Sequence, residues 1–223
     1  MLDPYEAPRL EMVAGQIERR GLHNPRLLAA LRSVPRHCFV PEAVVQLSYE
    51  DNALPIGNGQ TISQPYIVAL MTDLLQLQGG ETVLEIGSGS GYQAAILACL
   101  AHSVHTIERD STLAERTRRL LPVLGYSNVF LHESDGCLGW AEQAPYPAIL
   151  VTAAAPAPPP ALLEQLSDSG RLVIPIGGRG GQSLQVWQRR GLHFVSEDIL
   201  SVSFVPLRGV CGWDDSEWLV NAR

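Results

Sequence analysis

Apolar positions in the first third of the chain recur at helical intervals, but only over short stretches. Leu10, Val13, Ile17 and Leu22 fall near one helical face, and Leu27, Leu28 and Leu31 near another. Asn24-Pro25 supplies a capping residue and a first-turn proline for the second helix, and Pro35 and Pro41 then punctuate the chain. Residues 52–66 show neither helical nor strand period and have loop composition, although Leu54 and Ile56 argue against a free linker. A helical pattern returns from Pro65 to Leu77. After Gly79-Gly80 the texture changes. Strands are expected at 82–86, 103–107, 129–132, 148–152 and 171–176, with helices at 91–100, 113–124 and 160–166 between them. Such alternation with short connections predicts an α/β fold, a doubly wound and mostly parallel sheet with right-handed crossovers. Residues 184–188 and 194–204 are strand-like with no helix between them, which predicts a C-terminal antiparallel hairpin closing one sheet edge. There is no internal repeat, and the Pro/Ala stretch at 156–160 reads as a rigid loop ahead of a helix.

Composition narrows the function. The 223 residues, 46% of them hydrophobic, suffice for one substantial core. A net charge of −7 argues against a dedicated nucleic-acid binder, which carries a basic footprint. Arg19-Arg20 and Arg116, Arg118 and Arg119 read as solvated helix faces. Cys38, Cys99, Cys137 and Cys211 form no C-x-x-C pair, so no metal site is expected and free thiols in a reducing compartment are. No basic-then-apolar leader is visible at the start, and no apolar run approaches the roughly 20 residues of a membrane span. The expectation is a cytoplasmic protein with no membrane partner.

The chemistry centres on Val83-Leu84-Glu85-Ile86-Gly87-Ser88-Gly89-Ser90-Gly91, a strand running into a glycine loop. Ligands of open α/β sheets sit outside the carboxyl ends of strands, where the winding reverses. Glycines let the backbone turn sharply and approach a ligand, and amides opening the next helix can hold an anionic group. The dinucleotide fingerprint G-x-G-x-x-G fails here, because Tyr92 occupies the sixth place and the third glycine comes one residue early. The spacing Glu85-x-Gly87-x-Gly89-x-Gly91, with Ser88 between, resembles the first motif of Rossmann-like class I methyltransferases, which use S-adenosyl-L-methionine. Glu108 closes the second strand, where a carboxylate can accept from ribose hydroxyls. Asp135-Gly136 follows the third, where a short acid and a glycine can meet an adenine edge.

A wider resemblance names the acceptor. The segment Leu54-Pro55-Ile56-Gly57-Asn58-Gly59-Gln60-Thr61-Ile62-Ser63-Gln64-Pro65-Tyr66 is similar to one specific to the protein-L-isoaspartate O-methyltransferase family. Val34-Pro35-Arg36 with Phe39-Val40-Pro41, Gly139-Trp140, Val151-Thr152-Ala153-Ala154 and Phe204-Val205-Pro206-Leu207 support it, over about residues 10–213. The resemblance implies methylation of the free α-carboxylate of L-isoaspartyl residues in age-damaged proteins and peptides, initiating repair. It implies that Gln60, Thr61, Ile62 and Ser63 cover the cofactor and reacting groups, Ser63 being the active-site serine, and that Val205, Pro206 and Leu207 line the acceptor site. On this reading residues 1–223 form one domain: an N-terminal helical and active-site segment (1–78), a cofactor-binding core (79–180) and a hairpin completing the acceptor site (181–213).

A carboxylate is already ionised at pH 7, so the chemistry needs positioning rather than a general base. No G-x-S-x-G surrounds Ser63, which reads as a hydrogen-bond donor to the acceptor. Pro147 replaces the family's usual aspartate at the expected start of the fourth strand, where proline is tolerated. Arg208 replaces a small polar residue, and the tail from Asp214 lies outside the resemblance. Two alternatives stay open: a methyltransferase of the same fold acting on another carboxylate, and a non-catalytic isoaspartyl-binding protein.

Overall fold

The computed structural model of the chain describes residues 3–220. Helix α1 (Glu6–Met12) passes into a π-helical turn, Val13–Ile17. That turn rotates the buried face, so Met12, Val13 and Ile17 pack inward while Leu10, expected inside, is 43% exposed. Helix α2 (Pro25–Ser33) begins as its sequence predicts, with Asn24 Oδ1 accepting from the amides of Arg26 and Leu27.

Residues 52–66 contain more order than their composition suggests. Strands β1 (Leu54–Gly57) and β2 (Gln60–Ile62) form an antiparallel hairpin pairing Leu54 with Ile62. Its two-residue turn is Asn58-Gly59, both at positive φ (52° and 70°), the geometry that favours this dipeptide. Helix α3 (Pro65–Leu74) follows, burying Val68, Ala69 and Met71.

The rest winds about one seven-stranded sheet. In chain order it uses β3 (Thr82–Ile86), α4 (Tyr92–Ala98), β4 (Ser103–Glu108), α5 (Ser111–Val123), β5 (Val129–Glu133), β6 (Tyr146–Val151), α6 (Pro160–Glu164), β7 (Leu166–Gly178), β8 (Gly181–Arg190) and β9 (His193–Val202). The spatial order is β5-β4-β3-β6-β7-β8-β9, parallel through β7 and antiparallel beyond it. The chain first steps outward from β3 to β4 and β5, then returns to the other side of β3 as β6. The winding therefore reverses between β3 and β6. One buried cluster holds the N-terminal helices, α3 and α4 with Val83 and Val104. A second, on the opposite face, holds Leu84, Ile86, Ile149, Val151 and Leu162.

Most elements start or stop within a few residues of expectation, and three differences bear on the fold. Leu166, expected in a helix, begins β7 and pairs with Tyr146. Pro147 is the second residue of β6, not its first; the register shifts from Tyr146–Leu166 to Ala148–Arg171 around it, the extra residues lying on β7, so the proline faces an interruption of the ladder where no partner needs its missing N–H. Strand β9 stops at Val202, and Gln182 takes over Phe204 by accepting from its amide (2.6 Å) and donating to its carbonyl (3.0 Å). In the tail, helix α7 (Asp215–Val220) brings Trp218 edge-on to Trp213. Among the described residues no helix is long and apolar enough to cross a membrane.

Candidate active site

A cavity of about 350 Å³ opens at the carboxyl ends of β3 and β6, the reversal point. Its walls come from the hairpin arm Gln60 to Ser63, the glycine loop from Gly87, Glu108 to Asp110, Gly136, Thr152-Ala153, and Val205 to Arg208. All but two of the residues that the sequence assigns to the cofactor, the reacting groups or the acceptor thus reach one cavity. Glu85 and Asp135 do not line it.

The glycine loop is shaped from within. Gly87 sits at φ 93°, and a Cβ there would lie 2.5 Å from Thr152 Oγ1, which itself donates to the carbonyls of Gly87 (2.6 Å) and Ile86 (3.0 Å). The amides of Gly87 and Ser88 donate to Ile107 O, and that of Gly91 to Ser88 O. These loop amides are committed internally, so the loop offers a ligand room rather than free donors. The Ser88 hydroxyl is the exception, buried and without a partner.

Glu108 ends β4 with its carboxylate at the mouth. Oε2 accepts from Gly89 N (2.8 Å), and Oε1 from the amides of Arg109 (2.9 Å) and Asp110 (3.0 Å). A carboxylate offers about four lone-pair sites, so one remains for a ligand hydroxyl.

Glu85 lies behind this surface. Strand alternation puts it on the same face as Val83, opposite Thr106 of β4, whose hydroxyl donates to it at 2.5 Å; its other oxygen is buried and unpartnered. Burial, reinforced by the nearby charge of Glu108, raises its pKa from 4.5 to about 8. An unfolded chain ionises this group above about 4.5, whereas the folded chain keeps it protonated to about 8. Glu85 therefore leaves stability untouched below that window and lowers it as pH rises through it, by up to about 1.4 kcal/mol per pH unit. Thermal unfolding of Glu85→Gln between pH 5 and 8 is expected to lose this slope; parallel wild-type and variant curves would contradict it.

Asp135 also faces away from the cavity. Its carboxylate accepts from Cys137 N (2.9 Å) and Val210 N (2.8 Å), fastening the segment after Arg208 to the turn that carries Gly136. Gly136 itself has no space for a side chain, since a Cβ would meet Ile86 Cγ2.

The hairpin closes over the loop. Asn58 Nδ2 donates to Asp110 Oδ2 (2.9 Å), and Ile56 comes within contact of the position a Gly89 side chain would take. Ser63 is half-buried, and its carbonyl accepts from Arg36 Nη2 at 2.7 Å. Arg36 is fully buried, donates also to Ser48 O (2.7 Å), and lies over the Tyr92 ring (4.9 Å). Burial lowers its pKa to about 10, so it remains a cation at neutral pH. Across the cavity, Ala154 N donates to Val205 O and Leu207 N to Ala154 O, which stitches the segment 205–207 to the chain just past β6. Arg208 lines the same wall and donates to Trp213 O (2.8 Å). Among the described residues no group of three or more His, Cys, Asp or Glu is placed to hold a metal.

Residues 9–211 match the profile of the protein-L-isoaspartate(D-aspartate) O-methyltransferase family. A protein-L-isoaspartate O-methyltransferase of Dictyoglomus thermophilum is 53% identical over 95% of this chain and 96% of its own length. One of Syntrophus aciditrophicus is 52% identical over 96% and 99%. Among solved structures, a protein-L-isoaspartate O-methyltransferase superposes with a TM-score of 0.83 at 27% identity, over 91% of this chain and 67% of the other. A Plasmodium falciparum protein described as a putative member, in complex with S-adenosyl-L-homocysteine, shares the fold with a TM-score of 0.78 at 23% identity, over 93% and 99%.

Proposed function

The chain belongs to the protein-L-isoaspartate(D-aspartate) O-methyltransferase family, and from that premise we propose that its cavity methylates the free α-carboxylate of L-isoaspartyl residues in damaged proteins. The observation that carries this reading is the Gln60–Ser63 arm facing the glycine loop across one cavity, with Val205 to Leu207 on the remaining wall. The cofactor is S-adenosyl-L-methionine. The residues present fit it: the glycine loop leaves room, the Ser88 hydroxyl is buried and unpartnered, and Glu108 keeps one acceptor site. When bound, the cofactor supplies an electrophilic methyl group on a sulfonium sulfur.

The chain's own task is positioning. The acceptor carboxylate has an ordinary pKa of roughly 3.5–4.3 and arrives ionised, so no cavity residue has to remove a proton. The Ser63 hydroxyl makes no hydrogen bond among the described residues, which leaves it free to donate to the acceptor. Ile62 and Leu207, both buried, limit water at the reacting oxygen. Glu108 and Ser88 hold the cofactor, Gly136 admits it, and Glu85 and Asp135 act behind the wall as positioning residues. The segments 1–78, 79–180 and 181–213 then work as one unit, supplying arm, cofactor cradle and acceptor wall. The four cysteines are free thiols, which fits work in a reducing cytoplasm.

Ser63→Ala tests the assignment. Turnover on an isoaspartyl peptide, followed as label released as methanol by mild base, should fall about 10-fold or more with affinity for S-adenosylhomocysteine retained, since one charge-assisted hydrogen bond is worth about 1.5–3 kcal/mol. Wild-type turnover would remove Ser63 from the mechanism.

A further inference from the structure

Cys137 and Cys211 bring reactive chemistry to one place outside the cavity. Cys137 follows Gly136 in a short 3₁₀ turn and is buried; Cys211 is half-buried in the segment after Arg208. The Cys211 amide donates to Cys137 Sγ at 3.4 Å, which sets the Cys137 sulfur directly against the Cys211 backbone. Asp135 already fastens the same two segments by accepting from Cys137 N and Val210 N. The Cys137 sulfur thus lies within reach of the Cys211 side chain, on backbone held together independently of the thiols.

We propose that Cys137 and Cys211 form a reversible disulfide, a clasp between the turn after β5 and the acceptor-side segment. The oxidant is a peroxide of the hydrogen peroxide class. The less buried Cys211 sulfur, as thiolate, attacks one peroxide oxygen; the O–O bond breaks, giving a sulfenic acid and, after proton uptake, water. The Cys137 sulfur then attacks the Cys211 sulfur, the S–S bond forms, and the hydroxyl leaves as a second water with the Cys137 proton. Two thiols and one peroxide become one disulfide and two waters. Burial raises the pKa of both thiols, so the thiolate is scarce at pH 7 and the reaction speeds toward pH 9. A reducing compartment returns the pair to thiols, making the clasp a transient mark of oxidative stress. Because the segments already touch, the bond fixes the resting geometry and closes a long loop in the unfolded chain. Tm should rise by roughly 5–10 °C.

Trypsin separates the candidates. Cys137 falls in peptide 120–171, Cys211 in 209–223, and both Cys38 and Cys99 in 37–109. After peroxide treatment of the intact protein, mass spectrometry should find 120–171 joined to 209–223, with the higher Tm, both reversed by dithiothreitol. Cys211→Ser should fold as wild type and show neither. Separate peptides carrying thiols, or sulfinic acids formed independently, or joining of either to 37–109, would overturn the proposal.

Discussion

Glu108→Ala is expected to raise the dissociation constant for S-adenosylhomocysteine roughly 100-fold, about 2.7 kcal/mol, while the chain stays folded. The carboxylate satisfies three amides at the cavity mouth, those of Gly89, Arg109 and Asp110, and its remaining lone pair faces the ligand space. Removing it deletes a carboxylate acceptor, worth about 1.5–3 kcal/mol to a ligand hydroxyl. It also frees the Gly89 amide, which lets the glycine loop relax. Folding suffers less, because all three amides lie at the mouth, where water can replace the lost acceptor. Glu108→Gln should fall between the two, since its amide keeps one acceptor oxygen but turns a donor toward backbone donors. Titration calorimetry with the product ligand decides the matter. An unchanged constant in Glu108→Ala would take Glu108 out of the cofactor site.

Arg36→Met is expected to lower both stability and turnover. Burying a cation without a carboxylate partner is costly, and Met would relieve that cost. Against this stand two 2.7 Å charge-assisted bonds to the carbonyls of Ser48 and Ser63, each worth about 1.5–3 kcal/mol, and both carbonyls would be left without that donor. The losses outweigh the relief, and we expect about 2–4 kcal/mol of destabilisation, a Tm lower by roughly 5–15 °C. Turnover should fall at least about 10-fold even at a temperature where the variant is fully folded, because the Ser63 carbonyl loses its anchor and the arm its register. Wild-type turnover in a folded Arg36→Met would show that the arm holds Ser63 unaided.

Much of the sheet was legible because its strands are short apolar runs bounded by glycine, proline and polar residues. β3 matches its expected bounds, 82–86, and the antiparallel C-terminal strands fall where no helical period separates them. The hairpin arm was missed as regular structure, since strands of four and three residues are too short to show a period; Asn58-Gly59 was the available signal. Leu10 faces solvent against expectation because the π-helical turn that follows it breaks the 3.6-residue period. In the site, the glycine loop, Glu108 and the Gln60–Ser63 arm carry patterns of their own and reach one cavity. Glu85 could have been turned away by counting, as it shares its strand face with Val83. Arg36 was opaque as a positioning residue: nothing local announces that a lone arginine is buried against carbonyls 12 and 27 residues away. Nor does sequence reveal that Asp135 reaches across 75 residues to Val210.

We propose that this cavity methylates a carboxylate displaced by the isoaspartyl linkage. The most direct measurement uses two peptides of identical sequence, one with an L-isoaspartyl and one with an L-aspartyl residue at the same position, and methyl-labelled cofactor. The isoaspartyl peptide should acquire base-labile methyl ester with a kcat/KM at least about 10-fold higher, a discrimination of roughly 1.4 kcal/mol or more. Equal labelling of the two peptides, or none of either, would contradict the account.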